Sequence, residues 1–288
     1  MISYKRCTET NEDAIFDAFQ VGFSDYIINF EMTKDMFMKH FFGPEGNCLD
    51  YSVIAFDGDK PVGLNLGGIK IYEGVKTLRC GALCVHPDYR GTEVSNTLFN
   101  IHKDIALENN CKQMVLEVIV GNDRAINFYK RRGYEKIYDI VYYSHNNPSE
   151  INAYLPNEPV PNELIIKRVD MDSLINLNRA IGDIHVNWQN DFDYIGHING
   201  QVHYGVFLDK SLIGGLSIHP SGRISFLWID PGFRNRGIGR GLISHAVREL
   251  NPKKLSISFP NNAKLMGFVK RLNFIKDPIS QYEMYITL

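Results

Sequence analysis

Cysteine is scarce in this chain and unsuited to a covalent scaffold. The 288 residues include 5 cysteines, none later than Cys111. An odd number, with no CxxC and no Cys/His ligand spacing, speaks against a disulfide framework and against a zinc site. Cys80 and Cys84 fall in a strand-like run and read as buried structural thiols. Long apolar runs are also missing. None approaches the roughly 20 residues that span a bilayer, so no membrane partner is expected. Met1-Ile2-Ser3-Tyr4-Lys5-Arg6 lacks the apolar core of a signal peptide, which makes the expected location cytoplasmic. An excess of one charge sign is absent as well: the formal net charge is −2, and neither charge nor motif points to a nucleic acid. What is present is a globular composition, 44% hydrophobic and 22% charged, in a length that suits two domains of about 100–150 residues.

The most informative segment is Asp230-Pro231-Gly232-Phe233-Arg234-Asn235-Arg236-Gly237-Ile238-Gly239-Arg240-Gly241. It follows an apolar run, Ile224 to Ile229, and opens an amphipathic helix bearing Leu242, Ile243, Ala246, Val247 and Leu250. Glycines at a strand-to-helix junction let backbone N–H groups approach an anion, and the helix N-terminus adds a favourable dipole. The pattern reads as a cradle for a pyrophosphate. A degraded copy, His86-Pro87-Asp88-Tyr89-Arg90-Gly91-Thr92-Glu93-Val94-Ser95, stands 144 positions earlier (His86 against Asp230). Pro, aromatic and Arg recur at the same offsets, as an internal duplication would leave them.

The order of expected elements repeats too. The first half reads as a strand (Ser3–Thr8), helices at Glu12–Phe23 and Lys34–Phe42, and strands at Ser52–Phe56, Val62–Tyr72 and Thr77–Val85. After the loop come a helix with Leu98, Ile101 and Ile105 on one face, a strand (Met114–Val120), a helix (Arg124–Arg132) and a strand (Tyr134–Tyr143). The second half reads as a strand (Leu164–Val169), helical stretches from Met171 to about Ile198, and strands at His203–Leu208, Leu212–Ile218 and Ile224–Ile229. The loop and its helix precede a strand (Leu255–Phe259), a helix (Ala263–Leu272) and a strand (Gln281–Ile286). This implies an α/β (α+β) chain of two tandem domains, each a mixed, mostly antiparallel central sheet flanked by helices. The expected divisions are 1–147, a Pro/Asn-rich linker at 148–162, and 163–288.

With these pieces in order, both halves resemble acyltransferase domains of the GNAT superfamily, and the whole chain resembles a tandem GNAT protein. In the first half the resemblance rests on Leu116-Glu117-Val118 followed by Asn122, Ala125, Phe128-Tyr129 and Gly133-Tyr134. In the second it rests on Arg234-x-x-Gly237-x-Gly239, with Asn262, Phe268 and Asn273-Phe274 as weaker echoes. The resemblance implies acetyl-CoA, or another acyl-CoA, as donor and an amine as acceptor, here expected to be a small molecule. It also implies that Phe23-Ser24-Asp25-Tyr26 and Glu31-Met32-Thr33-Lys34 line the acceptor pocket. The oligomeric expectation is a monomer or a homodimer.

Amide formation from a thioester asks an ammonium of pKa near 10 to lose a proton, an oxyanion to find donors, and a thiolate to gain a proton. Glu117 is the one charge in the apolar run Met114–Val120, where a carboxylate is costly unless a cleft or a partner compensates it. By resemblance Glu117 is the base and Tyr129 the general acid. The implied cofactor-binding residues are Val85, Arg90, Gly91, Thr92, Glu93, Val94, Ser95, Asn122 and Phe128 in the first half. In the second they are Ile229, Arg234, Asn235, Arg236, Gly237, Ile238, Gly239, Arg240, Gly241 and Asn262. Each half departs from the pattern in a different place. Glu93 and Ser95 stand where the first loop should carry Gly, and Glu93 would repel a diphosphate if aimed at it. The second loop is intact, yet counting back from Asn262 sets Ile257 opposite Glu117 and Val269 opposite Tyr129. Tyr282, Tyr285, His245 and Ser258 remain as substitutes without a matching position. Three readings follow: catalysis in the first half, catalysis in the second, or an acyl-CoA-binding module without chemistry.

Overall fold

The computed structural model describes residues 1–28, 31–151, 164–182 and 184–288. It consists of two compact units: Met1–Asp139 together with Gln281–Leu288, and Ile140–Ser280. The sequence reading had placed the final strand with the second half and the division at 148–162. Of that expected linker, Pro148–Glu150 forms a 3-10 turn and Ile151 is buried in the second unit's core, while 152–162 lie outside the described residues.

The first unit contains β1 (Ile2–Arg6), α1 (Glu12–Gly22), α2 (Lys34–Phe41), β2 (Cys48–Asp57), β3 (Lys60–Tyr72), β4 (Val75–Val85), α3 (Val94–Glu108), β5 (Gln113–Ile119) and α4 (Asp123–Lys130). The chain leaves it within β6 (Glu135–His145) and returns to it within β12 (Ile275–Thr287). Between these come β7 (Ile165–Arg168), α5 (Met171–Ile181), α6 (Phe192–Gly196), β8 (Val202–Leu208), β9 (Ser211–Ile218), β10 (Arg223–Ile229), α7 (Ile238–Leu250), β11 (Leu255–Pro260) and α8 (Ala263–Arg271). Most expected elements occur within a few residues of their anticipated limits. The helical expectation from Met171 to Ile198 divides, because Gly182 ends α5 at φ 74° and a 3-10 turn at Trp188–Asn190 precedes α6.

Local sequence explains the helix starts. Asn11, Thr33, Asn122, Asp170 and Asn262 each accept a backbone N–H from the first turn of their helix, the bond that favours Asn, Asp and Thr at this position.

In the first unit the sheet order is β1-β2-β3-β4-β5-β12, antiparallel except at β4–β5. The parallel ladder between β4 and β5 runs from Thr77/Gln113 to Cys80/Leu116. Beyond it β4 continues to Val85 and β5 to Ile119, leaving a split between the strands. The second unit repeats this in the order β6-β11-β10-β9-β8-β7, where the β10–β11 ladder stops at Ile224/Ile257. Ile224 lies 144 positions after Cys80, so the two splits fall at duplicate points.

The swap of last strands explains the domain limits. Residues 281–287 of β12 pair with β5, and Met284 is fully buried in the core that α3 and α4 form with the first sheet. In exchange, Ile140–His145 of β6 pair with β11, and Tyr143 enters the core under α7. The edge of β5 is thereby covered instead of being left open for pairing. Among the described residues, no helix is long and apolar enough to cross a membrane.

His102 of α3 is 1% exposed, and neither ring nitrogen has a hydrogen-bond partner. Burial, with a smaller contribution from Arg6, lowers its pKa to about 3. The unfolded chain therefore binds a proton here below about pH 6.5 that the folded chain refuses, so stability falls as pH drops from 6.5 toward 3. The slope is roughly 1.4 kcal/mol per pH unit. Glu45, whose folded pKa is about 2, adds a loss only below its unfolded value, about 4.3. Urea unfolding of His102→Leu is expected to remove most of the pH dependence between 6.5 and 4.5 and to leave the loss below that range.

Candidate active site

At the split in the first unit, Glu117 is the first residue of β5 past the last pair with β4. Strand alternation turns it away from the α3-side core, which takes Met114, Leu116 and Val118. Its side chain is only 2% exposed and meets Arg79 of β4, whose Nη2 donates to Glu117 Oε2 at 3.0 Å. Nη1 of the same guanidinium donates to Glu45 Oε2 at 2.5 Å and to the Glu45 carbonyl at 3.2 Å. One arginine thus joins the base candidate to the turn after α2. Burial pushes the Glu45 carboxyl up, but Arg79 and His40 (Nε2 at 3.4 Å) outweigh it and hold the group at about 2. Asn47 presses on the same place: a Cβ at Gly81, the first β4 residue past the ladder, would collide with its side chain.

Tyr129 of α4 occupies the opposite, core face. Its hydroxyl lies 3.7 Å from Cys80 Sγ, and that thiol donates to Asn65 Oδ1 at 3.3 Å. Burial first, then Cys80, raises the Tyr129 pKa well above its usual value, so the phenol stays protonated. Cys80 is itself pushed up to about 11 by burial. It and Cys84 are buried thiols, as the sequence suggested.

The two loops after β4 and β10 share a brace. Arg90 Nε donates to the Val85 carbonyl at 3.1 Å, and Arg234 Nε donates to the Ile229 carbonyl at 2.7 Å. Each motif arginine therefore ties its turn to the end of the preceding strand. Gly91 and Asn235 both adopt left-handed backbone, at φ 76° and 62°. Two positions on, the loops diverge. Gly237 is left-handed at φ 76° and caps α7 without a side-chain bond, a conformation that costs glycine nothing. Glu93, its counterpart, is right-handed at φ −72°. The Glu93 carboxylate accepts from Asn96 Nδ2 at 3.0 Å, and Asn96 in turn is held by Arg132, whose guanidinium lies 3.3 Å from the centre of the Phe128 ring. Glu93 is thus engaged along the flank of α3. Thr92 Oγ1 takes the Val94 N–H at 3.4 Å, and Ser95 follows in the first turn of α3.

The loop between α1 and α2 adds contacts that the sequence did not disclose. Asp25 forms a bidentate pair with Arg90, at 2.5 and 2.6 Å, and Arg90 Nη2 also donates to the Gly22 carbonyl. Tyr26 hydrogen-bonds the Asn122 side chain. Both residues hold groups that the resemblance assigned to the cofactor.

In the second unit, Ile238 is buried at the start of α7, and Gly239 packs closely on Phe268, where a Cβ would lie 3.2 Å from the ring. Arg236 stacks near Phe233, at 5.8 Å, and Arg234 near Trp228, at 5.9 Å. Gly241 donates to the Gly237 carbonyl in the first helical turn that also includes Arg240. The expected equivalence of Ile257 and Glu117 is corrected by the ladders. Ile257 pairs at the last rung, as Leu116 does, and is buried in the core, so Ser258 takes the place of Glu117. Asn190 Nδ2 donates to Ser258 Oγ at 3.1 Å. Arg223, 144 positions after Arg79, donates to the Gln189 carbonyl at 2.8 Å and to Tyr194 Oη at 3.3 Å. This arginine thus braces the segment before and within α6, and among the described residues no ion pair with a carboxylate is formed by it. Val269 stands where Tyr129 does and is buried.

The acetyltransferase (GNAT) family model matches residues 13–134 and again 173–274. The chain belongs to the GNAT acetyltransferase family. A tandem GNAT protein from the clavulanic acid biosynthesis pathway superposes with a TM-score of 0.70 at 13% identity, covering 100% of this chain and 98% of its own. A GCN5-related N-acetyltransferase from Sphaerobacter thermophilus gives 0.65 at 10% identity, covering 100% and 95%. At these identities the likeness is one of fold. A curated relative, N-alpha-acetyltransferase 30 of Schizosaccharomyces pombe, is 29% identical over 94 residues, 31% of this chain and 62% of that protein. The match therefore spans less than two thirds of that relative's length.

Within this GNAT chain, Arg79 is the residue whose loss should be felt most. Arg79→Gln would remove the guanidinium that bridges Glu45 and Glu117 in a site where both are nearly inaccessible. Breaking a buried pair from one side costs about 3–5 kcal/mol. The denaturant midpoint should drop accordingly, whereas Arg223→Gln should cost clearly less.

Proposed function

We propose that the chain is an N-acetyltransferase that moves an acetyl group from acetyl-CoA to an amine, with its proton chemistry in the first unit. The observation that carries this reading is Glu117 at the mouth of the β4–β5 split, where the second unit has only Ser258. Acetyl-CoA supplies the acyl group as a thioester, already activated toward an amine. Glu117 accepts the proton that the acceptor's ammonium must lose, and Tyr129 holds a proton at Oη for the departing sulfur.

The residues at the loops suit a diphosphate. Gly237 gives α7 an uncapped N-terminus with Arg236 and Arg240 beside it, an arrangement that favours an anion. In the first unit Gly91 and the start of α3 would serve, because Glu93 is occupied with Asn96. Asn122 and Asn262 shape the helix starts below. The acceptor in this reading is a small-molecule amine, with the aromatic segment after Tyr26 lining its pocket. A peptide α-amine is the second candidate, since the curated relative is named as an N-alpha-acetyltransferase.

Thiol release from acetyl-CoA, followed across panels of small amines and short peptides, tests both readings. With an accepted amine, Glu117→Gln is expected to lower kcat by 10²-fold or more and Tyr129→Phe by at least tenfold, in the range typical of lost acid–base groups. Both variants should still fold: Tyr129→Phe within about 1 kcal/mol of wild type, and Glu117→Gln less stable because it takes one carboxylate from the buried Arg79 pair. Full activity in both would remove the first unit from the chemistry.

A further inference from the structure

The last strand of the chain brings a second carboxylate to the base. In the β5–β12 ladder Glu283 is the direct cross-strand partner of Glu117, and it is 0% exposed. Directly opposed residues share a face, with Cβ atoms about 4.5–5.5 Å apart. Glu283 is fixed from two sides: Tyr72 Oη of β3 donates to its Oε1 at 2.9 Å, and Tyr285 Oη of β12 donates to the same oxygen at 2.8 Å. Two hydroxyl donors suit a carboxylate, which only accepts. Burial and then the Glu283 charge push both phenols well above their ordinary pKa, so they keep their protons and remain donors.

The other groups facing this pair come from every neighbouring element. β4 supplies Arg79, and the turn after α2 supplies Glu45, with His40 beside it. β3 supplies Lys70, whose ammonium lies 5.4 Å from the Tyr72 ring centre, and its turn supplies Glu73. β6 supplies Tyr138, packed 6.4 Å from Tyr285. The Arg79 guanidinium bonded to Glu117 favours the charged carboxylate. A like charge across the strand acts in the opposite sense, because two neighbouring carboxylates disfavour each other's ionisation.

We propose that Glu283 is a positioning residue for Glu117: its carboxylate, pinned by Tyr72 and Tyr285, offsets the grip of Arg79 and leaves Glu117 able to take up the acceptor's proton. Glu283 touches no reacting atom in this account. The proposal rests on Glu117 being the base, and it makes the first unit's chemistry depend on residues that the chain reaches only after passing through the second.

The direct test is a carboxyl ¹³C NMR titration of the intact, substrate-free protein, with the Glu117 signal assigned by Glu117→Gln. In Glu283→Gln, the Glu117 titration and the acid limb of the kcat/KM profile should both move to lower pH by about one unit or more. Glu283→Asp should restore most of both shifts. Tyr285→Phe, which removes one donor and keeps the charge, should move neither limb by as much. A Glu117 titration that stays within 0.2 units of wild type in Glu283→Gln overturns the proposal. If Glu283→Gln does not fold, a shift of one unit or more in Tyr285→Phe, which keeps the carboxylate charge, would overturn it equally. Activity surviving in Glu117→Gln would instead refute the base assignment, and the substrate-free titration separates that outcome from failure of the Glu283 proposal.

Discussion

The bridge from Glu45 through Arg79 to Glu117 is the interaction on which the rest of the first unit depends. It lies where β4 and β5 part, so it anchors the turn after α2 to the sheet at the point where sheet hydrogen bonds end. Burying three charged groups is unfavourable unless each is paired. Here the guanidinium satisfies both carboxylates, and Asn47 packs against Gly81 beside them. The duplicated Arg223 in the second unit solves the same mechanical problem with neutral acceptors.

The two units thus resemble each other more closely in scaffold than in candidate site residues. Arg90 and Arg234 tie their turns to the strand ends in the same way, and Asn122 and Asn262 cap corresponding helices. The candidate site positions differ: Glu117 against Ser258, Tyr129 against Val269, Glu93 against Gly237. The exchange of final strands gives the first core Met284 and sets Glu283 opposite Glu117 in the ladder.

Much of this was legible in the sequence because it is local. Alternation and helical periodicity located nearly every strand and helix, and the caps marked the helix starts. The proper counterpart of Glu117 was not legible by counting back from the cap. The connection from the last parallel rung to the cap is one residue shorter in the second unit, from Ile257 to Asn262 as against Leu116 to Asn122. A shift of one residue reverses the face of a strand. Arg79, Glu45 and Glu283 escaped for a different reason: Arg79 and Glu283 reach Glu117, and Glu45 reaches Arg79, through long-range pairing that leaves no local pattern. Asp25 and Tyr26 were noted as acceptor-side residues, and their hold on Arg90 and Asn122 likewise needed the fold.

The central claim is that the proton moves in the first unit and that the second unit's equivalent position is silent. Measuring kcat for Glu117→Gln and Ser258→Ala side by side in the intact chain, with one accepted amine, tests it most directly. The account predicts a collapse for Glu117→Gln and a rate within twofold of wild type for Ser258→Ala. A collapse for Ser258→Ala with Glu117→Gln unimpaired would contradict it.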